Sequence, residues 1–167
     1  SDVCSSDLAE IARMLAANVG YAAARAQVDD PHPSRKVVVV TCMDARMDVF
    51  AILGLHLGDV HVIRNAGGRI TPDVIRSLAI SSAVLGTETV VVMQHTRCGL
   101  AGVTDEQLRE ATGADLQFFP IVDHHSALAV DVDIVRNSPH LDKVHTVVGF
   151  VYDIESGVIT ESARYER

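Results

Sequence analysis

The feature that most constrains the fold is a run of four valines at positions 37–40, within the segment KVVVVTC. β-Branched residues favour strands, and an apolar run without polar alternation is typical of a strand that is buried on both faces. A second run of this kind, TVVVM, begins at Thr89. Such strands belong mainly to parallel sheets, because the connecting helices cover both sides of the sheet. The valine runs therefore predict an α/β fold.

Helical segments separate the strand-like runs. Residues from about 8 to 27 are rich in alanine and contain few helix breakers, so they predict a first helix. Thr71 and Pro72 have the residue types that begin a helix, and Thr104 with Gln107 has the spacing of a capping box. The other strand-like segments are VHVIRN, VHTVVGFVYD and a short C-terminal segment, VIT. This alternation predicts a mainly parallel central β-sheet flanked by helices, with a C-terminal return strand.

The length of 167 residues is that of one domain with a single core. Residues 1–8, SDVCSSDL, match neither a signal peptide nor the face of a helix. We interpret them as a non-native or disordered leader, and we assign residues 9–167 to a single domain.

Composition disfavours several classes of partner. The net charge of −8 argues against a nucleic-acid-binding surface, which would carry basic patches. No apolar run approaches the roughly 20 residues that a membrane-spanning helix needs. Three cysteines without a signal peptide are more typical of metal binding or catalysis in a reducing compartment than of a disulfide framework. We therefore expect a cytoplasmic protein with a small-molecule substrate and with neither nucleic acid nor membrane as a partner.

Two of the predicted strands end in residues that bind metals. VVVVT runs into Cys42, and VVVMQ runs into His95, with Cys98 three positions later. The carboxyl ends of adjacent parallel strands lie at the same edge of a sheet, which is where ligands bind in such folds. Two cysteines and a histidine suit tetrahedral zinc, and three protein ligands leave one position open, as in catalytic zinc sites.

Two other interpretations of Cys42 remain. Free cysteines are commonly buried as small apolar residues, although a His-x-x-Cys motif at the end of a second strand favours a metal site. A nucleophilic cysteine of the phosphate-loop type would need an arginine six positions later, where this chain has Asp48. Neither Cys42 nor Cys98 is followed by a glycine-rich phosphate loop. Metal binding is the favoured interpretation.

Asp44 and Arg46 follow Cys42 at alternate positions. In an extended segment, alternate side chains point to the same side, so all three would face one pocket. An arginine beside the aspartate would lower the pKa of its carboxyl group and keep it as a hydrogen-bond acceptor. Such a carboxylate could orient a zinc-bound water, whereas the alternative is a solvated surface ion pair.

The motifs CMDAR, RNAGG, DVIRSLAISSAVLG and HTRCG together resemble those of the β-class carbonic anhydrases. The similarity is densest between residues 37 and 102, and the later segment GFVYDIESGVI is similar to the end of the family's domain. The resemblance implies an α/β sheet and one Zn²⁺ per subunit. The zinc ligands that it implies are Cys42, His95 and Cys98.

The resemblance also implies an activity and an assembly. The activity is reversible hydration of carbon dioxide to bicarbonate by zinc-bound hydroxide, with Asp44 and Arg46 as a catalytic pair. In some members of the family the aspartate becomes a fourth zinc ligand, so Asp44 is also a conditional ligand here. Gly99, directly after Cys98, is assigned to the substrate pocket. The implied assembly is a homodimer, or a tetramer of paired dimers, in which the N-terminal helix packs on the partner subunit.

Two residues depart from the commoner pattern of the family. Gln94 stands where many members have glycine, and Gly68 ends an NAGG segment where NAGN is commoner. Relatives in the compact bacterial branch hydrolyse carbonyl sulfide with the same zinc ligands. The alternatives are therefore a carbonyl sulfide hydrolase or a catalytically silent zinc-site dimerisation module.

Overall fold

The computed structural model describes the backbone of residues 2–167 and the side chains of residues 7–167. Within this part of the chain the strands are β1 (Val37–Cys42), β2 (Val60–Asn65), β3 (Thr89–His95), β4 (Thr146–Tyr152) and β5 (Ile159–Glu166). The helices are α1 (Asp2–Ala24), α2 (Val49–Leu53), α3 (Pro72–Ala83), α4 (Asp105–Thr112) and α5 (His124–Asn137), with a 3-10 turn at Ala66–Gly68.

The strands form one sheet in the order β2-β1-β3-β4-β5. The pairs β1–β2, β1–β3 and β3–β4 are parallel, and β5 runs antiparallel to β4. The four valines lie in β1, between two other strands of the sheet. The predicted mainly parallel sheet with a C-terminal return strand is confirmed.

The valine run is divided between two cores. Val38 and Val40 lie on one face of the sheet, in a cluster with Leu78 of α3 and Leu128 of α5. Val39 lies on the opposite face, with side chains from α2 and from the segment before α5. Because both faces are covered, every position of the run is apolar and no polar alternation is seen.

Local sequence explains where the helices begin and end. The Thr71 hydroxyl oxygen accepts a hydrogen bond from Val74 N–H at the start of α3. Thr104 and Gln107 form the predicted capping box at the start of α4. Helix α2 is short because the Asp48 side chain caps its beginning and Gly54, with a φ of 61°, ends it in the left-handed region.

Helix α1 begins at Asp2, earlier than the sequence predicts. Ser1 and the side chains of residues 2–6, part of the predicted leader, lie outside the described residues, and the interpretation of this segment as non-native stays a prediction. Every described side chain of α1, from residue 7 to residue 24, is exposed. No helix within residues 2–167 is both long and apolar enough to cross a membrane.

Candidate metal centre

The three predicted metal ligands meet at one edge of the sheet. β1 and β3 are adjacent and parallel, with Thr41 opposite Met93, so both strands end at this edge. Cys42 is the last residue of β1, His95 is the last residue of β3, and Cys98 lies in the loop that follows. Their ligand atoms all lie within 4.8 Å of one another, and all three residues are buried. The structure therefore brings Cys42 together with His95 and Cys98, although at least 53 positions separate it from them in the sequence.

Two features of the donor atoms are compatible with a bound zinc ion. The Sγ atoms of Cys42 and Cys98 are 3.9 Å apart, against about 3.8 Å for two thiolates on one tetrahedral zinc. His95 Nδ1 lies 2.9 Å from the carbonyl oxygen of Thr96, which can only accept, so Nδ1 carries the proton and Nε2 carries the lone pair. Nε2 is buried and has no hydrogen-bond partner among the residues that the structure describes. A buried acceptor without a partner is costly, so these residues fit a bound metal ion.

The two thiols are within hydrogen-bond distance of each other. The hydrogen bond with Cys98 lowers the pKa of Cys42 below that of a free thiol, and the same contact raises the pKa of Cys98. A metal ion held by both sulfurs would require both as thiolates, because the thiolate is the form that binds metals.

Asp44 and Arg46 pair beside these ligands. Arg46 Nε donates to Asp44 Oδ1 at 2.9 Å, and Arg46 Nη2 donates to Asp44 Oδ2 at 2.6 Å. This bidentate contact holds the pKa of the Asp44 carboxyl group far below its ordinary value. Asp44 Oδ2 lies 3.6 Å from His95 Nε2. An ionised carboxylate therefore lies directly beside the ligand atoms.

The backbone after Cys42 differs from the extended segment that the sequence predicts. Ala45 and Arg46 form a turn. Arg46 N–H donates to Asp44 Oδ1 at 2.9 Å, and Met47 N–H donates to the Asp44 carbonyl at 3.1 Å. An aspartate that accepts from the backbone two residues later forms an Asx turn. Asp44 and Arg46 therefore meet because the chain turns, and alternation along a strand is the wrong explanation.

Arg64, at the end of β2, fixes the backbone of this turn. Its guanidinium donates to the carbonyl oxygens of Cys42 at 2.8 Å, Asp44 at 2.7 Å and Met47 at 3.3 Å. The sequence shows only a charged residue near a strand end, and its backbone partners follow from the pairing of β1 with β2.

Gly68 brings the 3-10 turn against the metal edge, which is the edge of the sheet where β1 ends at Cys42 and β3 ends at His95. Its φ is 64°, in the left-handed region. A Cβ at this position would lie 2.9 Å from Cys42 N and 2.9 Å from the Met93 carbonyl oxygen, both of them backbone atoms. Only glycine allows the turn to pack this closely against the ends of β1 and β3.

A buried polar network lies behind the end of β3. Gln94, directly before His95, donates from Nε2 to Asp131 Oδ2 at 3.3 Å, and its Oε1 is 2.9 Å from His124 Nδ1. Asp131 also accepts from Arg69 Nε at 2.7 Å. Because the aspartate can only accept, it fixes the orientation of the Gln94 amide, and His124 Nδ1 must be the donor to Oε1. The network joins the strand of His95 to α5.

Gly99 is exposed, and a Cβ there would meet no atom within 4 Å. Its location directly after Cys98 keeps it at the metal edge. Its assignment to a substrate pocket stays a prediction.

Comparison with known proteins gives a consistent set of similarities. The family model described as Carbonic anhydrase matches residues 37–127. β-Carbonic anhydrase 1 of Mycobacterium tuberculosis is 37% identical over 153 residues, which cover 88% of this chain and 94% of that protein. A carbon disulfide hydrolase of Acidithiobacillus thiooxidans is 33% identical over 161 residues, covering 81% of this chain and 80% of that protein. The crystal structure of a carbonic anhydrase from Streptococcus mutans is 38% identical, with a TM-score of 0.82, and the match covers 92% of this chain and 97% of that one.

Proposed function

This chain belongs to the β-carbonic anhydrase family, and we propose that it catalyses reversible hydration of carbon dioxide at a zinc ion held by Cys42, His95 and Cys98. The observation that carries the proposal is the buried cluster of these three ligand groups. Within the residues that the structure describes, His95 Nε2 in this cluster has no hydrogen-bond partner. Zinc in a site with three protein ligands acidifies a water at its open position, which allows attack on carbon dioxide near neutral pH.

Residues of the chain supply the orientation. The Asp44 carboxylate accepts a hydrogen bond from the attacking water, so that an oxygen lone pair points toward the carbon of the substrate. Arg46 keeps this carboxylate ionised through its bidentate contact. The Thr96 carbonyl fixes the His95 tautomer that presents Nε2 to the metal. Water and carbon dioxide give bicarbonate, and the proton released passes to solvent.

The carbon disulfide hydrolase relative supports a second candidate function. Carbon disulfide and carbonyl sulfide are linear molecules with an electrophilic carbon, as is carbon dioxide, so the same nucleophile could attack all three. Carbon dioxide is favoured because identity and coverage are both higher for the β-carbonic anhydrase 1 relative. A catalytically silent zinc module is disfavoured because the Asp44–Arg46 pair is intact beside the ligands.

We also propose that the protein is a cytoplasmic homodimer, or a dimer of dimers, with one Zn²⁺ per subunit. The exposed apolar side chains of α1 support an association between copies. The cytoplasmic location rests on the cysteines, which a metal site of this kind requires in reduced form.

The test combines zinc analysis with stopped-flow hydration of carbon dioxide for the wild type, Cys42→Ser and Asp44→Asn. Hydrogen sulfide release from carbonyl sulfide and carbon disulfide is measured on the same preparations. We expect one zinc per wild-type chain with rapid hydration, loss of both in Cys42→Ser, and retained zinc with about 10- to 100-fold slower hydration in Asp44→Asn.

Each alternative gives a different result. Wild-type protein that binds zinc but acts only on the sulfur compounds would establish the second candidate. Zinc without any of the three activities would establish a silent module. Hydration unchanged in Cys42→Ser would reject the metal site itself.

A further inference from the structure

The metal-ligand loop, residues 95–98, is hydrogen-bonded to the end of β4 and to the turn between β4 and β5, residues 153–157. Thr96 N–H donates to the Tyr152 carbonyl at 2.9 Å. The Thr96 hydroxyl oxygen accepts from Ile154 N–H at 3.0 Å. Two contacts in opposite directions therefore fix the start of the loop against the turn.

The turn itself has a defined shape. Its first residue, Asp153, accepts at Oδ1 from the N–H groups of Glu155 and Ser156, both at 2.8 Å. The Asp153 carbonyl accepts from Gly157 N–H at 2.8 Å. These hydrogen bonds fix the backbone position of Glu155. The carboxylate of Glu155 forms an ion pair with the guanidinium of Arg97 in the metal-ligand loop.

The backbone of Arg97 contacts the Asp44–Arg46 pair. Arg97 has a φ of 56°, a left-handed conformation that is uncommon for residues other than glycine. In this conformation its carbonyl oxygen accepts from Arg46 Nη2 at 3.1 Å. The same Nη2 donates to Asp44 Oδ2 at 2.6 Å. The Arg46 guanidinium is thus held from one side by Asp44 and from the other by the Arg97 backbone.

Asp44 has two possible partners. Its Oδ2 contacts Arg46, but the same oxygen is only 3.6 Å from His95 Nε2, the atom without a described hydrogen-bond partner. A small rotation of the Asp44 side chain would bring its carboxylate to the metal and occupy the open position. The contacts that fix the position of Arg46 therefore influence whether the Asp44 carboxylate pairs with Arg46 or binds the metal.

We propose that Glu155 is a positioning residue that, through Arg97, holds Arg46 in place and so keeps Asp44 away from the metal. This rests on the proposed function, because it presupposes a metal ion at Cys42, His95 and Cys98. The side chains of Arg97 and Glu155 are 67% and 63% exposed. Ion pairs exposed to solvent in this way make only a small contribution to the free energy. Loss of this pair should change the ratio of the two Asp44 positions about two- to fivefold.

The experiment uses the 167-residue chain loaded with Co²⁺, whose visible absorption reports the ligands of the ion. Asp44→Asn gives the spectrum of a site that aspartate cannot occupy, and Arg46→Met gives the spectrum of a site in which Asp44 has lost its partner. Glu155→Gln should shift the spectrum toward that of Arg46→Met, with a two- to fivefold higher ratio of aspartate-bound to open sites. A second readout is solvent exchange of the Arg46 Nε proton, followed by ¹⁵N NMR, which should accelerate by a similar factor.

Two controls separate positioning from a general effect on the hairpin. Glu161→Gln removes another exposed ion pair of the same hairpin, with Arg164, and should leave the spectrum and the exchange rate unchanged. The charge-reversed double variant Arg97→Glu/Glu155→Arg should restore the wild-type ratio. A Glu155→Gln protein with the spectrum and exchange rate of the wild type would overturn the positioning role alone. Wild-type protein without cobalt–thiolate absorption would overturn the metal site and this inference together.

Discussion

At the scale of single residues, Gly68 shows how closely the metal edge is packed. We predict that Gly68→Ala lowers the free energy of unfolding by about 3 kcal/mol or more, since the new Cβ would clash with backbone atoms of Cys42 and Met93 in addition to the left-handed strain. Urea denaturation of the two proteins measures the difference.

Gly86→Ala is the matched control. Gly86 also has a left-handed φ, 77°, but a Cβ there would meet no atom within 4 Å. Only the backbone strain applies, so the expected loss is about 1–2 kcal/mol. Equal losses in the two variants would show that the close approach of the 3-10 turn to β1 does not contribute.

His124 gives a prediction about pH. Burial lowers the pKa of its imidazole from 6.5, the nearby His95 adds to the effect, and Asp123 opposes it. The folded state therefore binds this proton more weakly than the unfolded state does. The resulting stabilisation is present above pH 6.5 and is lost as the pH falls from there toward the lower pKa of the folded state.

We predict that His124→Gln makes the free energy of unfolding less dependent on pH between about 7 and 5. Glutamine retains an N–H donor for Gln94 Oε1, so the change isolates the titration. Urea denaturation at several pH values is the measurement, and His56→Gln, at a side chain that is 85% exposed, is the control. An identical pH slope for wild type and His124→Gln would contradict the assignment.

The three candidate ligands could be predicted because each lies at or just after the end of a strand whose apolar run is unmistakable in the sequence. Pairing of Asp44 with Arg46 was predicted as well, but through an extended backbone, which is wrong. Spacing alone cannot distinguish a strand from an Asx turn, because both bring residues i and i+2 to the same side. Arg64 could not be assigned, since its partners are backbone carbonyls of a neighbouring strand and its connection.

At the scale of elements, the buried pair of Arg69 and Asp131 joins α5 to the segment after the 3-10 turn. The Arg69 side chain is 8% exposed and that of Asp131 is 1% exposed. Arg69 also donates to the carbonyl oxygens of Phe119 and Pro120, at 2.8 and 3.0 Å. One guanidinium therefore holds three separate parts of the chain beside the metal edge.

We predict that Asp131→Asn destabilises the protein by about 3–5 kcal/mol, because it leaves a buried cation without its carboxylate. The double variant Arg69→Met/Asp131→Leu should lose less than the sum of the corresponding single variants, since neither charge then remains buried alone. Chemical denaturation measures all of these values. Asp73→Asn, in an exposed pair with Arg76, should change stability by less than about 1 kcal/mol. Equal effects at Asp131 and Asp73 would contradict the buried role.

The elements themselves could be predicted where local signals agree, as at Thr71 and Thr104. The network around Asp131 could not, since a charged residue in a helical pattern is normally assigned to the solvent face. Asp131 lies on the buried face of α5, together with Leu128 and Val132. Only the positions of Arg69 and Gln94 in the folded chain explain its burial.

At the scale of the whole molecule, contacts within one chain do not explain the stability of helix α1. Helices in water are marginally stable without tertiary packing, yet every described side chain of α1 is exposed. Its large exposed apolar residues are Leu8, Ile11, Met14, Leu15, Val19 and Tyr21. Further exposed apolar side chains are Met43, directly after Cys42, and Phe50 and Leu57. Apolar surface of this extent is typical of a protein interface.

We predict that the protein is a dimer or larger assembly in solution and that the double variant Leu15→Glu/Val19→Glu disrupts it. Positions 15 and 19 are one helical turn apart, so both new charges fall on one face of α1. Burying them at an interface, in place of two apolar side chains, should raise the dissociation constant at least about 100-fold. Light scattering coupled to size exclusion, over a range of concentrations, gives the mass relative to the 17.9 kDa chain.

Ala17→Glu/Ala24→Glu adds the same two charges to the opposite face of α1 and serves as the matched control. It should keep the mass of the wild type, because the helical period places positions 17 and 24 away from the stripe formed by Ile11, Leu15 and Val19. Equal dissociation in both double variants would indicate a general effect of charge on α1. A monomeric wild type, or an unchanged mass for Leu15→Glu/Val19→Glu, would show that this stripe does not join two copies of the chain.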